Sequence, residues 1–360
     1  MCRSSDIRSF KKAMLLICEG TKTEPNFFAA FRDDKNKCKV EGEITIQPKP
    51  TLAQEDIEVQ QNRGNSVRRK RALKGAGDND QPVVFPGPQP LNWVTAGINS
   101  LDTFEEVWCV FDKDDHPTRK DAFELAESQQ RAGKNIRIAF SSRCIEFYFL
   151  LHFEYLYKAF EKSECNGKEN GKTRSYHCCL PDAVPGKACQ GDRCTNGYAR
   201  TMGYWTDSKS DYSLYPILKD RLYYAIRNAE LVRRESSKKE DPAIPFYDRN
   251  PYVTTDSLIS RLMGFANLYQ GEIISIKQDS TILELHFVGN HILIKNNGEV
   301  SFAIQKDLVQ RLDYMTGEPV ESCGEKGILE PGQQCEIQLR GQSGDLYKIN
   351  SFRQPYLLVL

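Results

Sequence analysis

The sequence predicts an α/β protein in two parts, a parallel or mixed sheet covered by helices followed by a small all-β domain. Three observations carry this expectation. Two continuous apolar runs of strand length, residues 13–18 (AMLLIC) and 107–111 (VWCVF), each stop abruptly at acidic residues. Helical periodicity separates and follows them, and after Gln270 the pattern switches to period-two alternation.

Residues 13–18 are apolar throughout, as in a strand buried on both faces, and end at Glu19-Gly20. Phe27, Phe28 and Phe31 then recur at helical spacing, with Thr23 as the expected cap and Pro25 in the first turn. Residues 44–46 (ITI) are a second strand. Residues 54–92 lose all periodicity and are rich in Gly, Pro, Asn and Arg, which reads as an insertion. Order returns at 107–111, which ends in Asp112-Lys113-Asp114-Asp115-His116; a helix is expected over 119–132 and a strand over 135–140. Residues 144–159 are aromatic at helical spacing and read as one core helix. A second irregular insert spans 163–198. Helices are expected over 217–232 and 255–268. Beyond a boundary at 269–271, short alternating runs at 273–277, 282–287, 291–294, 300–304, 335–339 and 356–359, separated by Gly and Asn turns, predict a sandwich or barrel over 270–360.

The chain of 360 residues has 49 basic and 49 acidic side chains, so no global field draws it to nucleic acid or anionic lipid, and any such contact needs a local patch. No apolar run approaches the roughly 18 residues of a membrane span, and 13–18 is too short for a signal-peptide core. A cytoplasmic location is expected. Arg63, Arg68, Arg69, Lys70, Arg71 and Lys74 form a run of six bases without an acid, a solvated loop or a strand of phosphate contacts. Of the twelve cysteines, Cys165, Cys178, Cys179, Cys189 and Cys194 fall with His177 in the second insert, where few apolar residues are available for a core. Four soft ligands there suit a structural Zn²⁺; free thiols or a disulfide are the alternative. The C-terminal part holds twelve acids against eight bases from residue 270 on, which fits a docking or oligomerising module, or a structural cap, better than a nucleic-acid surface.

In an open α/β sheet, ligands bind at the carboxyl ends of the strands, so Glu19, Asp112 and Asp114 gather there. Such hard oxygen donors suit Mg²⁺ or Mn²⁺, and with them phosphoryl transfer or phosphodiester hydrolysis. Each acidic turn taken alone is equally a solvated loop.

A strand ending in Glu-Gly and another ending in Asp-x-Asp resembles the Toprim pattern, a Rossmann-like fold shared by topoisomerases, bacterial primases and OLD-type nucleases. The ordered set ICEGTKTEPNFF, VWCVFDKDDH, IAFSSRCIEFYFLLHFE, YYAIRNAEL and NPYVTTDSLISRLM resembles the RloB family over most of residues 13–268, whose members are encoded in phage-defence loci, often beside an ATPase. The two inserts and the C-terminal sheet depart from that pattern. The resemblance implies that Glu19, Asp112 and Asp114 are metal carboxylates, with Glu24 and Asp115 as second-metal ligands or a base. It implies Ser141, Glu146 and Lys209 as the completing residues. Glu146 is equally a helix N-terminal acid, Lys209 a loop charge, and His152 a core residue. The expected function is a metal-dependent nuclease acting on DNA or RNA, including tRNA, as an abortive-infection effector under an ATPase partner, with no membrane contact and a homo-oligomer as an option. The alternative is a non-catalytic nucleic-acid-binding or regulatory subunit; a Toprim polymerase or topoisomerase lacks its additional domains.

Overall fold

The structure, a computed structural model, describes residues 12–50, 89–113, 116–163, 168–169, 172–173, 193–205, 214–350 and 354–360. In chain order the first part comprises β1 (Lys12–Cys18), α1 (Thr23–Asp33), β2 (Ile44–Gln47), α2 (Pro90–Ser100), β3 (Phe104–Asp112), α3 (Arg119–Arg131), β4 (Ile136–Ser142) and α4 (Ile145–Leu150). A two-residue hairpin, β5 (Lys168–Glu169) and β6 (Lys172–Thr173), precedes α5 (Thr195–Thr201), α6 (Leu214–Leu218), α7 (Leu222–Lys239), β7 (Tyr252–Val253) and α8 (Thr255–Leu262).

The central sheet has the order β2-β1-β3-β4-β7. β1 to β4 are parallel and β7 closes the edge antiparallel. Because side chains alternate across a strand, β1 feeds two cores. Met14, Leu16 and Cys18 join Trp108, Val110 and the aromatic residues of α1 and α4 on one face; Leu15 and Ile17 join Val107, Cys109, Phe111 and the helices α2 and α3 on the other. This is a three-layer α/β/α arrangement, and it explains why residues 13–18 of β1 and 107–111 of β3 are apolar throughout. Gly97 lets α2 lie close on the sheet, since a Cβ there would stand 3.0 Å from both Ile136 and Val107.

The C-terminal part, starting at β8 (Ala266–Asn267), is all β: β9 (Ile273–Gln278), β10 (Thr281–Val288), β11 (His291–Asn296), β12 (Phe302–Ile304), β13 (Val309–Leu312), β14 (Pro319–Ser322), β15 (Gly327–Leu329), β16 (Gln334–Gln338), β17 (Leu346–Ile349) and β18 (Tyr356–Val359). A sheet of order β16-β11-β10-β9 and another of order β14-β13-β17-β18-β8 enclose a core built on Leu283, Leu285, Phe287, Ile292, Ile294, Tyr347 and Leu358. Pairing is antiparallel except for β18 with β8. The second sheet is apolar on both faces: Leu312, Leu346, Leu357 and Val359 belong to the core of the first part, so the two parts share a wall. Among the described residues no helix is long and apolar enough to cross a membrane.

Several local expectations need correction. Thr23 is the first residue of α1 rather than its cap; Lys22 holds that position and no side chain caps the helix. The aromatic run 144–159 is helical only over Ile145–Leu150. Its rings find separate partners, Phe147 against Phe160 and Phe153 stacked on Tyr204 at 4.4 Å, so burial is met by several neighbours and not by one stripe. The helix over 255–268 stops at Leu262, because Gly264 adopts a φ of +86° and the chain turns into β8. The insertion over 54–92 ends earlier than expected, since α2 begins at Pro90.

A buried ion cluster joins α7, α8 and β7. The Arg233 guanidinium donates to Asp256 (2.5 and 2.8 Å), to Glu230 (2.8 and 3.1 Å) and to the Val253 carbonyl (2.7 Å). The two carboxylates hold Arg233 charged despite its burial. Removing one partner from such a cluster leaves uncompensated buried charge. Arg233→Met is therefore expected to cost about 3–5 kcal/mol in urea denaturation; a loss below about 1 kcal/mol would show that the cluster does not tie these elements together.

Candidate functional site

β1 and β3 pair with Cys18 opposite Val110, and the Glu19 N–H extends the ladder by donating to the Val110 carbonyl at 2.8 Å. Glu19 and Asp112 therefore leave adjacent parallel strands at the same carboxyl edge. The Glu19 carboxylate lies across the end of β3: Oε2 accepts the Asp112 N–H at 2.9 Å and Oε1 is 3.1 Å from His116 Nε2. The imidazole is held edge-on to Trp93.

Glu24 comes from the first turn of α1 and is buried. Its carboxylate occupies the space that a side chain at position 20 would need, since a Cβ on Gly20 would stand 2.0 Å from Glu24 Oε2. Here the glycine of the Glu-Gly turn is required by room for a carboxylate. Glu146, in the first turn of α4, is buried as well. Glu19, Glu24, Asp112 and Glu146 together line a cavity of about 280 Å³, with Arg143 as a basic side chain on its wall and Ser163 at its rim. Arg143 is anchored by Nη1 donating to the Lys113 carbonyl at 3.0 Å.

Two buried thiols register the negative charge of the cavity. Burial, and then the charges of Glu146 and Asp112, push the Cys144 thiol far up; burial and Glu24 do the same for Cys18. Both are held as thiols at neutral pH, and Cys144 Sγ lies 3.2 Å from Thr195 Oγ1. Lys113 turns away to donate to the carbonyls of Asp248 and Arg249.

Of the residues expected at the site, Glu19, Glu24, Asp112 and Glu146 are brought together. Ser141 is the penultimate residue of β4, not a residue beyond it; it is buried, with its hydroxyl 2.8 Å from Thr255 Oγ1. Asp114, Asp115, Lys209, the basic run with Arg68, Arg69, Lys70 and Arg71, and Cys165, Cys178, Cys179 and Cys189 lie outside the described residues. Cys194 is buried just ahead of α5. Among the described residues no three His, Cys, Asp or Glu side chains converge to metal-ligating distance. The donor set still fits a hard divalent cation: four carboxylates, two of them buried, face one small cavity. His116, Arg143 and Ser163 were not singled out from the sequence; the arginine stands in the quoted SSRCIEF motif, but only the fold brings the other two to Glu19 and the cavity rim.

His152 is a core residue. Its Nδ1 donates to the Tyr148 carbonyl at 3.2 Å, its Nε2 has no partner among the described residues, and burial pulls its pKa down to about 3.

An α/β/α domain with acids at the carboxyl edge of a parallel sheet defines the class of protein. The RloB-like protein family matches residues 14–262, and the chain belongs to that family. No curated protein and no solved structure matches it.

Two outcomes follow from this geometry. Gly20→Ala should destabilise the protein, and Glu24→Ala should relieve that loss, with a coupling of about 1–3 kcal/mol in a double-mutant cycle by urea denaturation; strictly additive losses would mean that the two positions do not collide. For His152, the native pKa lies below the unfolded value, so the unfolded chain takes up a proton first and stability falls as pH drops through about 6.5 toward about 3. His152→Leu should flatten the urea midpoint over that window, and an unchanged slope would count against a neutral buried imidazole.

Proposed function

We propose that the protein is a metal-dependent Toprim-like nuclease that hydrolyses phosphodiester bonds in DNA or RNA, tRNA included, as the effector of an anti-phage defence system restrained by an ATPase partner. Its membership of the RloB-like family supports this reading. The observation that carries it is the pairing of Glu19 and Asp112 across the ends of adjacent parallel strands, with buried Glu24 and Glu146 on the same cavity.

Glu19, Asp112 and Asp114 are the first candidates to hold Mg²⁺ or Mn²⁺, with Glu24, Asp115 and Glu146 as further ligands. Bound there, such a cation supplies a Lewis acid for the phosphoryl oxygens and a nucleophilic water near neutral pH. The chain's own part is orientation. The Asp112 N–H and His116 fix the two oxygens of Glu19. Arg143, anchored on Lys113, presents positive charge on the cavity wall, where the phosphate charge grows during in-line displacement. Lys209 is assigned to the leaving oxygen, and the basic run from Arg68 to Arg71 to the nucleic-acid backbone. A Zn²⁺ in the cysteine insert would be structural. The second reading is a non-catalytic nucleic-acid-binding or regulatory subunit of a defence complex.

Glu19→Gln and Asp112→Asn keep shape and remove charge. Assayed on DNA and RNA with Mg²⁺ or Mn²⁺ and with the ATPase encoded beside the gene, each should lower cleavage by at least about 100-fold while shifting Tm by no more than about 2–4 °C. Cleavage that survives both substitutions, or a protein that binds nucleic acid and never cleaves it, sinks the nuclease reading.

A further inference from the structure

A second and larger cavity, of about 590 Å³, lies at the other end of the same strands. Glu106 and Trp108 of β3 and Arg137 of β4 form its floor, and residues of α8, β8, β9 and β18 form its walls, so it sits where the sheet meets the C-terminal part. Asp112 lies six positions beyond Glu106 on β3, about 20 Å of extended chain. The size falls within the roughly 300–1,000 Å³ of small-molecule sites, and junctions between domains are where such sites concentrate.

Its chemistry is rich in donors. Arg137 lies over the Trp108 ring at 5.7 Å, and among the described residues no carboxylate pairs with it; its one hydrogen bond is a long one, 3.4 Å, to Asn135 Oδ1. Stacking holds the guanidinium in place and leaves its terminal nitrogens available. Arg261 spends only its Nε on Glu106, at 2.9 Å, and the other oxygen of Glu106 accepts the Trp108 indole N–H at 2.7 Å. Glu272 is likewise engaged, accepting the Tyr269 N–H at 2.8 Å. Both oxygens of Glu106 and one of Glu272 are thus occupied, while the two guanidiniums keep unused N–H groups. Tyr269, which also lines the cavity, is 36% exposed.

We infer that this cavity binds a phosphorylated nucleoside. Oxygens of its phosphate take the N–H groups of Arg137 and Arg261, and the base packs on Tyr269. The inference is independent of the nuclease reading, since no residue is shared with the carboxylate cavity.

The test is calorimetric titration of the full chain, in EDTA, with the four common ribonucleoside monophosphates, the corresponding triphosphates and inorganic phosphate. At least one nucleotide should bind with a Kd below about 1 mM. Arg137→Ala, an exposed position, should weaken it about tenfold or more, and Asp112→Asn should leave it unchanged. Absence of binding by every nucleotide, equal affinity for inorganic phosphate alone, an unaltered Kd in Arg137→Ala, or loss of binding in Asp112→Asn would each overturn the proposal.

Discussion

The register between β1 and β3 is the constraint on which the rest depends. With Cys18 opposite Val110, an acid follows one residue later on β1 and two residues later on β3, and the Glu19 carboxylate reaches the Asp112 N–H. A slip of one residue would exchange the two buried faces of β1, sending Leu15 and Ile17 to the side packed by α1 and α4. Both faces are filled by large apolar side chains, so the register is fixed by packing on two sides at once. The placement of the acids is a by-product of that packing and needs no attraction between them.

The carboxylate cavity is then shaped by elements held at a distance from it. α8 is anchored through Thr255 to Ser141 at the end of β4 and through Asp256 to Arg233 of α7. Ser141, expected as a reacting group, has this positioning contact. The same helix carries Arg261 to the opposite cavity, so one eight-residue element touches the supports of both. The C-terminal sheet adds to this frame by giving one of its faces to the core of the first part.

Strand positions in the first part were legible because residues 13–18 of β1 and 107–111 of β3 are apolar throughout, a pattern that only a sheet covered on both faces explains. The acids were legible because they end those strands. Other parts were hidden for physical reasons. α2 is short, its polar face is only Asn92, Thr95 and Asn99, and it follows a stretch rich in proline and glycine that hides its start. β13 and β14 are four residues long and largely polar, and their strand character rests on pairing with distant segments. Glu24 was found as an acid near the site, but the role of Gly20 as the gap its carboxylate fills requires coordinates. Arg143 and His116 stand in the polar turns that follow β4 and β3, and only the fold brings them to the cavity and to Glu19.

One modest contact has an entropic consequence. The Glu161 N–H donates to the Arg193 carbonyl at 3.0 Å, and Lys162 bridges Cys194, so the chain on either side of residues 164–192 is stitched together beside Ser163 at the cavity rim. Once its ends are joined, a loop's length enters the free energy only logarithmically, about 0.6 kcal/mol for each doubling. A change in the number of residues between Ser163 and Arg193 is therefore expected to cost the sheet that carries the acids little.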